Sequence, residues 1–131
     1  MAGTITQTLD ERGDVGVVTF TATADASDGS FPEVAIAAKL SGKLLALETN
    51  PGATAPTDNY DILLDDAEGK DVLEGVGANR DTTNIEKVAV LLSSLHPPVA
   101  KSDVLTFKIT GNIVNSAQII VKLYYEGSAE A

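Results

Sequence analysis

Thr57 to Gly75 reads TDNYDILLDDAEGKDVLEG, and its alternation decides the fold class. In Tyr60-Asp61-Ile62-Leu63-Leu64, Tyr60, Ile62 and Leu64 fall on one face, the period of a half-buried strand. Asp65-Asp66-Ala67-Glu68-Gly69-Lys70 follows with turn chemistry: aspartate at the start, and glycine where a positive φ is needed. Val72-Leu73 resumes the apolar pattern. The stretch therefore predicts a β-hairpin with a charged tip.

Moving outward, the same alternation recurs. Thr4 to Leu9 sets Ile5 and Leu9 against three threonines, which suit a solvated strand face. Asp10 to Asp14 reads as a turn, and within it Arg12-Gly13-Asp14 matches an adhesive tripeptide. Three residues match by chance, so the turn is the reading kept. Val15 to Ala24 is a strand with Val18, Phe20 and Ala22 on one side. Asp25 to Pro32 is a loop. Val34 to Ala38 fits strand or helix, and Ser41-Gly42 predicts a break after it. Leu44 to Thr49 is a strand, ended by Asn50-Pro51-Gly52.

Beyond the acidic stretch, Gly75 to Asp81 is irregular; its two glycines lack the rest of a phosphate-binding loop. Ile85 to Leu92 fits a helix with a Thr83/Glu86 capping box, or a strand; the all-β context favours strand. His96-Pro97-Pro98 is an extended connector. Val104 to Thr110 alternates, Gly111 to Ser116 reads as a hairpin loop, and Gln118 to Tyr125 closes the pattern. Its second face, with Ile120 and Tyr124, is only partly polar. Seven or eight short strands with frequent turns predict an all-β, antiparallel β-sandwich or jelly roll. One domain over residues 1–131 is expected, with a short flexible tail at 127–131.

The 131 residues carry 44% hydrophobic but only 5% aromatic residues, so the core is aliphatic. Cysteine is absent, which excludes a disulfide framework and a thiol nucleophile. Net charge is −10, against the basic footprint of a nucleic-acid binder. Ten acids and two bases lie between Glu48 and Glu86. That concentration fits a solvated face, a cation site or docking on a basic partner. The opening residues predict no leader, and no apolar run approaches the ~18 residues of a membrane helix.

Catalysis finds little to use. His96 is the one histidine and sits beside two prolines. The carboxylate pairs Asp58/Asp61 and Asp65/Asp66 would need aromatic sugar platforms to serve a glycosidase, and tryptophan is absent. Asp65, Asp66, Glu68 and Asp71 could offer oxygen ligands to calcium. The EF-hand spacing fails, because Gly69 at its sixth position places Leu64 at the first. The residues predict no catalytic, cofactor-binding or metal site.

Asn50-Pro51-Gly52-Ala53, Pro56 to Ile62, Asp71-Val72-Leu73 and Ala78-Asn79-Arg80-Asp81 carry a resemblance. With His96-Pro97-Pro98 and the closing strands, residues from about 49 to 125 resemble small bacteriophage and prophage virion structural proteins. The resemblance implies a β-sandwich or jelly roll that acts as a non-enzymatic capsid decoration or cement protein. Its implied partners are the major capsid protein and further copies of itself, with no nucleic acid and no membrane. Its implied place is the capsid surface of a virion, after synthesis in a bacterial cytoplasm. A neck or tail protein, or a free ion- or carbohydrate-binding sandwich, is the alternative.

Overall fold

Alternating β-branched and aliphatic residues build nine strands, and none of the described residues is helical. The computed structural model describes residues 2–37, 39–100 and 102–130. The strands are β1 (Thr4–Arg12), β2 (Val15–Thr23), β3 (Val34–Ala35), β4 (Lys39–Pro51), β5 (Asp61–Asp65), β6 (Glu86–Ala89), β7 (Pro98–Val99), β8 (Thr106–Thr110) and β9 (Gln118–Glu130). The larger sheet runs β1-β2-β9-β4-β6, with β7 also on β4; the smaller runs β3-β8-β5. Every pairing between strands is antiparallel. The all-β class read from the alternation is the class adopted.

One core lies between the sheets. Val18, Phe20 and Ala22 of β2, Ile119, Val121 and Leu123 of β9, and Leu44 and Leu47 of β4 supply one side. Ile62 and Leu64 of β5 with Phe107 and Ile109 of β8 supply the other. Phe20 stacks on Phe107 with ring centroids 3.9 Å apart and planes 2° from parallel, tying the layers at one point.

Several expected boundaries move. Ser41-Gly42 does not break the chain but lies inside the thirteen-residue β4, where Gly42 is opposite Gly127 of β9. A Cβ on Gly42 would lie 1.9 Å from Glu126 O, and one on Gly127 would lie 2.0 Å from Ser41 O. Two facing glycines let the long strands approach where any side chain would force them apart. Residues 127–130, expected as a tail, are the end of β9, which pairs with β4 through Glu130. Ala131 and Ala38 lie outside the described residues. The β1–β2 turn is Gly13-Asp14 alone. Gly111 to Ser116 is no hairpin loop; it carries the chain from β8 in the smaller sheet to β9 in the larger. Ile85 to Leu92 yields the strand β6, and no helix forms at the Thr83/Glu86 box.

The acidic turn forms as read, with Asp66 N–H donating to Lys70 O at 2.9 Å and Asp65 bridging antiparallel to Asp71, but no second strand leaves it. β5 pairs with β8, not with Val72-Leu73, which sit in successive turns. Those turns still serve β5. Val72 N–H donates to Leu64 O at 2.8 Å, Ile62 N–H to Gly77 O at 2.8 Å, and Arg80 N–H to Tyr60 O at 2.8 Å. Leu73 is buried beneath. An irregular segment thus covers the β5 edge by backbone bonds without becoming a strand.

A side chain covers the opposite flank. Gln7 of β1 donates from Nε2 to Ala35 O at 2.9 Å and accepts at Oε1 from Ala37 N–H at 2.8 Å. The amide imitates a peptide unit and bridges the edge strands of both sheets. The segment of β3 is thus held to β1 through Ala35 and Ala37.

Tyr125 lies across Gly16, its direct partner on β2, and donates from its hydroxyl to Glu11 Oε2 at 2.7 Å. Glu11 pairs with Gly16 from the far side, so three strands are joined over one glycine. Burial, then the bond to Glu11 and its charge, pushes the Tyr125 phenol far above its ordinary value. Tyr60 is also fully buried, and burial raises its phenol too. The neighbouring Thr49 hydroxyl offsets part of that rise, although neither hydroxyl finds a partner of acceptable hydrogen-bond geometry.

A Cβ on Gly16 would lie 2.3 Å from the Tyr125 ring. Gly16→Ala should cost about 1–3 kcal/mol in urea unfolding, the cost of overpacking. Tyr125→Phe should cost ~1 kcal/mol for the lost hydrogen bond. An unchanged urea midpoint for Gly16→Ala would contradict the packing described.

Alkali should also unfold the protein. Both phenols have folded values above their unfolded ones, so their contribution is intact below the ordinary tyrosine value of about 10. It is lost as pH rises from there through the folded values, because the unfolded chain ionises first. Tyr60→Phe and Tyr125→Phe should each flatten that loss when unfolding is followed against pH.

Candidate interaction surfaces

Aspartate is the side chain that this fold uses to hold irregular backbone. Asp71 Oδ1 accepts from Leu64 N–H at 3.1 Å and Leu73 N–H at 3.0 Å, while Oδ2 accepts from Gly75 N–H at 3.1 Å. Asp66 Oδ1 accepts from Glu68 N–H at 3.0 Å and Lys70 N–H at 2.9 Å. Asp65 Oδ2 pairs with Lys108 Nζ at 2.9 Å. Glu68 is exposed. The four residues weighed as calcium ligands therefore do not converge, and no group of three potential ligands that could hold a metal occurs among the described residues.

The other carboxylates weighed for chemistry behave alike. Asp61 Oδ1 accepts from Asn79 N–H at 2.9 Å, and Asp58 Oδ1 from Thr82 N–H at 3.2 Å. Each fastens a loop. His96 Nδ1 lies 2.8 Å from Val90 O, so the nitrogen donates to that carbonyl and ties the connector to the end of the β6 segment.

Those fastenings gather four loops at one end of the sheets. Asn112 Oδ1 accepts from Thr57 N–H at 2.9 Å, and its Nδ2 donates to Gly29 O at 2.7 Å. Ile113 N–H donates to Thr57 Oγ1 at 2.9 Å, and the Thr82 hydroxyl donates to Pro56 O. The loops carry Asp25, Asp28, Asp58 and Asp81 against Arg80, which faces Glu86 at 3.5 Å. Hydrogen bonds from Ser30 hold Asp28 below the ordinary carboxylate value, and those from Thr83 and Asn84 do the same for Asp81. Both stay charged at neutral pH. Ile113 stands in this acidic setting 79% exposed.

A second surface lies along β6. Leu91, Leu92 and Leu95 are exposed, Leu95 by 73%, around a tight turn in which Leu92 and Leu95 exchange backbone bonds of 2.6 and 3.0 Å. Ser93 and Ser94 form that turn with positive φ. Ile85, at the other end of β6, is 62% exposed. The pattern reading placed Ile85 to Leu92 on an element and missed the turn. Its one signal was the pair of serines between leucines. On the outer face of β9, Ile120 is partly exposed and Tyr124 is covered by Lys87 Nζ, 4.0 Å from its ring centroid.

No helix among the described residues is long and apolar enough to cross a membrane. Comparison with protein families, with curated proteins and with solved structures finds no match.

Calorimetric titration with calcium should show no micromolar site at Asp65, Asp66, Glu68 and Asp71. Asp71→Ala should instead lower stability by about 3 kcal/mol, since it frees three backbone donors worth about 1 kcal/mol each. Micromolar calcium binding abolished by Asp66→Ala would reverse that assignment.

Proposed function

We propose that this chain is a non-enzymatic structural protein of a bacteriophage virion. It sits on the capsid surface as a decoration or cement protein and, as a homo-oligomer, bridges and stabilises major capsid subunits. The observation that carries the reading is Ile113, 79% exposed on a rigid loop platform. Charged aspartates stand on the adjoining loops. A large apolar side chain held in that setting suits contact with a partner of opposite charge. The loops are stitched by side-chain bonds, so docking orders little that is not already ordered. The resemblance of residues 49–125 to small virion proteins supports the same role. A neck or tail position uses the same surface chemistry and differs in where the chain is found.

Purified protein should cosediment with heads that lack it, and the binding should weaken with salt, because exposed charges are screened beyond ~8 Å at physiological ionic strength. Ile113→Ser should leave folding intact and reduce head binding at least tenfold, about 1.4 kcal/mol. A particle reconstruction that finds the chain only in the tail would move it to the second position. Failure to bind any virion part would remove the proposal.

A further inference from the structure

Each sheet has two edges, and they differ in how far the chain covers them. The β5 edge bonds to residues 71–80, and Gln7 bridges β1 to the segment of β3. β6 pairs with β4 on one side, and no backbone partner for its outer side occurs among the described residues. Natural edges are commonly guarded by charged side chains. Here both charges of β6 are engaged within the chain. Glu86 Oε1 accepts from Asp81 N–H at 2.8 Å and faces Arg80, while Lys87 lies over Tyr124.

We propose that β6 is a self-pairing edge, joining antiparallel to β6 of a second copy about a two-fold axis at Val88. The apolar residues identify the occupant. Pairing centred on Val88 sets Ile85 opposite Leu91 of the second copy, and Leu91 opposite its Ile85. Lys87 meets Ala89 rather than another lysine. A two-fold contact brings each surface against itself, so it needs a self-complementary edge. The alternation also keeps Ile85, Lys87, Ala89 and Leu91 on one face of the joined sheet. Between Lys87 and Ser102 there is no acid in a chain of net charge −10, so this stretch is where two copies approach with least repulsion. The inference gives the homo-oligomer proposed above its contact surface, and isolated protein tests it without heads.

Sedimentation of the full chain should show a reversible dimer that strengthens with salt, as repulsion between the acidic copies is screened. Ile85→Glu and Leu91→Lys should each weaken the dimer at least tenfold. The double variant Ile85→Glu/Leu91→Lys should recover much of that loss by pairing opposite charges across the axis. Because the chain has no cysteine, Val88→Cys should oxidise to a covalent dimer, whereas the control Thr110→Cys on β8 should not. A monomer at every concentration, association that weakens with salt, no recovery in the double variant, or equal cross-linking of both cysteine variants would each overturn the pairing. Head binding by a chain that stays monomeric would leave the virion reading in place while removing this one.

Discussion

The stack of Phe20 on Phe107 is the contact on which the two-layer arrangement turns. Neither sheet can bury its apolar face alone, and the chain has only six aromatic residues with which to span the gap. Four of them, Phe20, Phe107, Tyr60 and Tyr125, are fully or almost fully buried. Phe20 belongs to β2 in the larger sheet and Phe107 to β8 in the smaller, so their contact sets where one layer lies over the other. Aliphatic side chains fill the remaining space around it. Once the layers are placed, Gln7 reaches from one to the other and Thr49 comes beside Tyr60.

That geometry accounts for the heavy use of aspartate. The short β5 leaves a long return path, and backbone in turns needs partners that a ladder does not supply. Asp58, Asp61, Asp66, Asp71 and Asp81 provide them by accepting from nearby N–H groups. The acidity of the middle of the chain is thus a structural device first. Its outward effect is a negative field at the loop end, where Ile113 projects.

A cavity of about 270 Å³ beside Ile36, Lys39, Asp103 and Leu105 has its carboxylate engaged with Ala100 N–H at 2.9 Å. What the molecule presents outward is apolar side chains at the ends of a rigid scaffold. The contact role proposed above rests on that surface.

The sequence by itself determined the all-β class and the identity of the inward faces. The period of two is a local property, and Val18/Phe20/Ala22, Ile62/Leu64 and Ile119/Val121/Leu123/Tyr125 are buried as it requires. It also showed carboxylates without calcium spacing. Tertiary structure decided which strand meets which. Asp65 to Lys70 reads locally as a hairpin tip, and Asp65 does bridge to Asp71 across it, yet the ladder of β5 is made with β8 on its other edge, while Val72-Leu73 form turns. Gly42 and Gly127 read as a break and a tail, and only their meeting across two strands makes them necessary. The bulge between Leu44 and Ala46 shifts the alternation of β4, so that Leu47 and Thr49 point inward. Exposure of Leu95 and Ile113 was hidden for the same reason: an apolar residue carries no mark of whether another part of the chain will reach it.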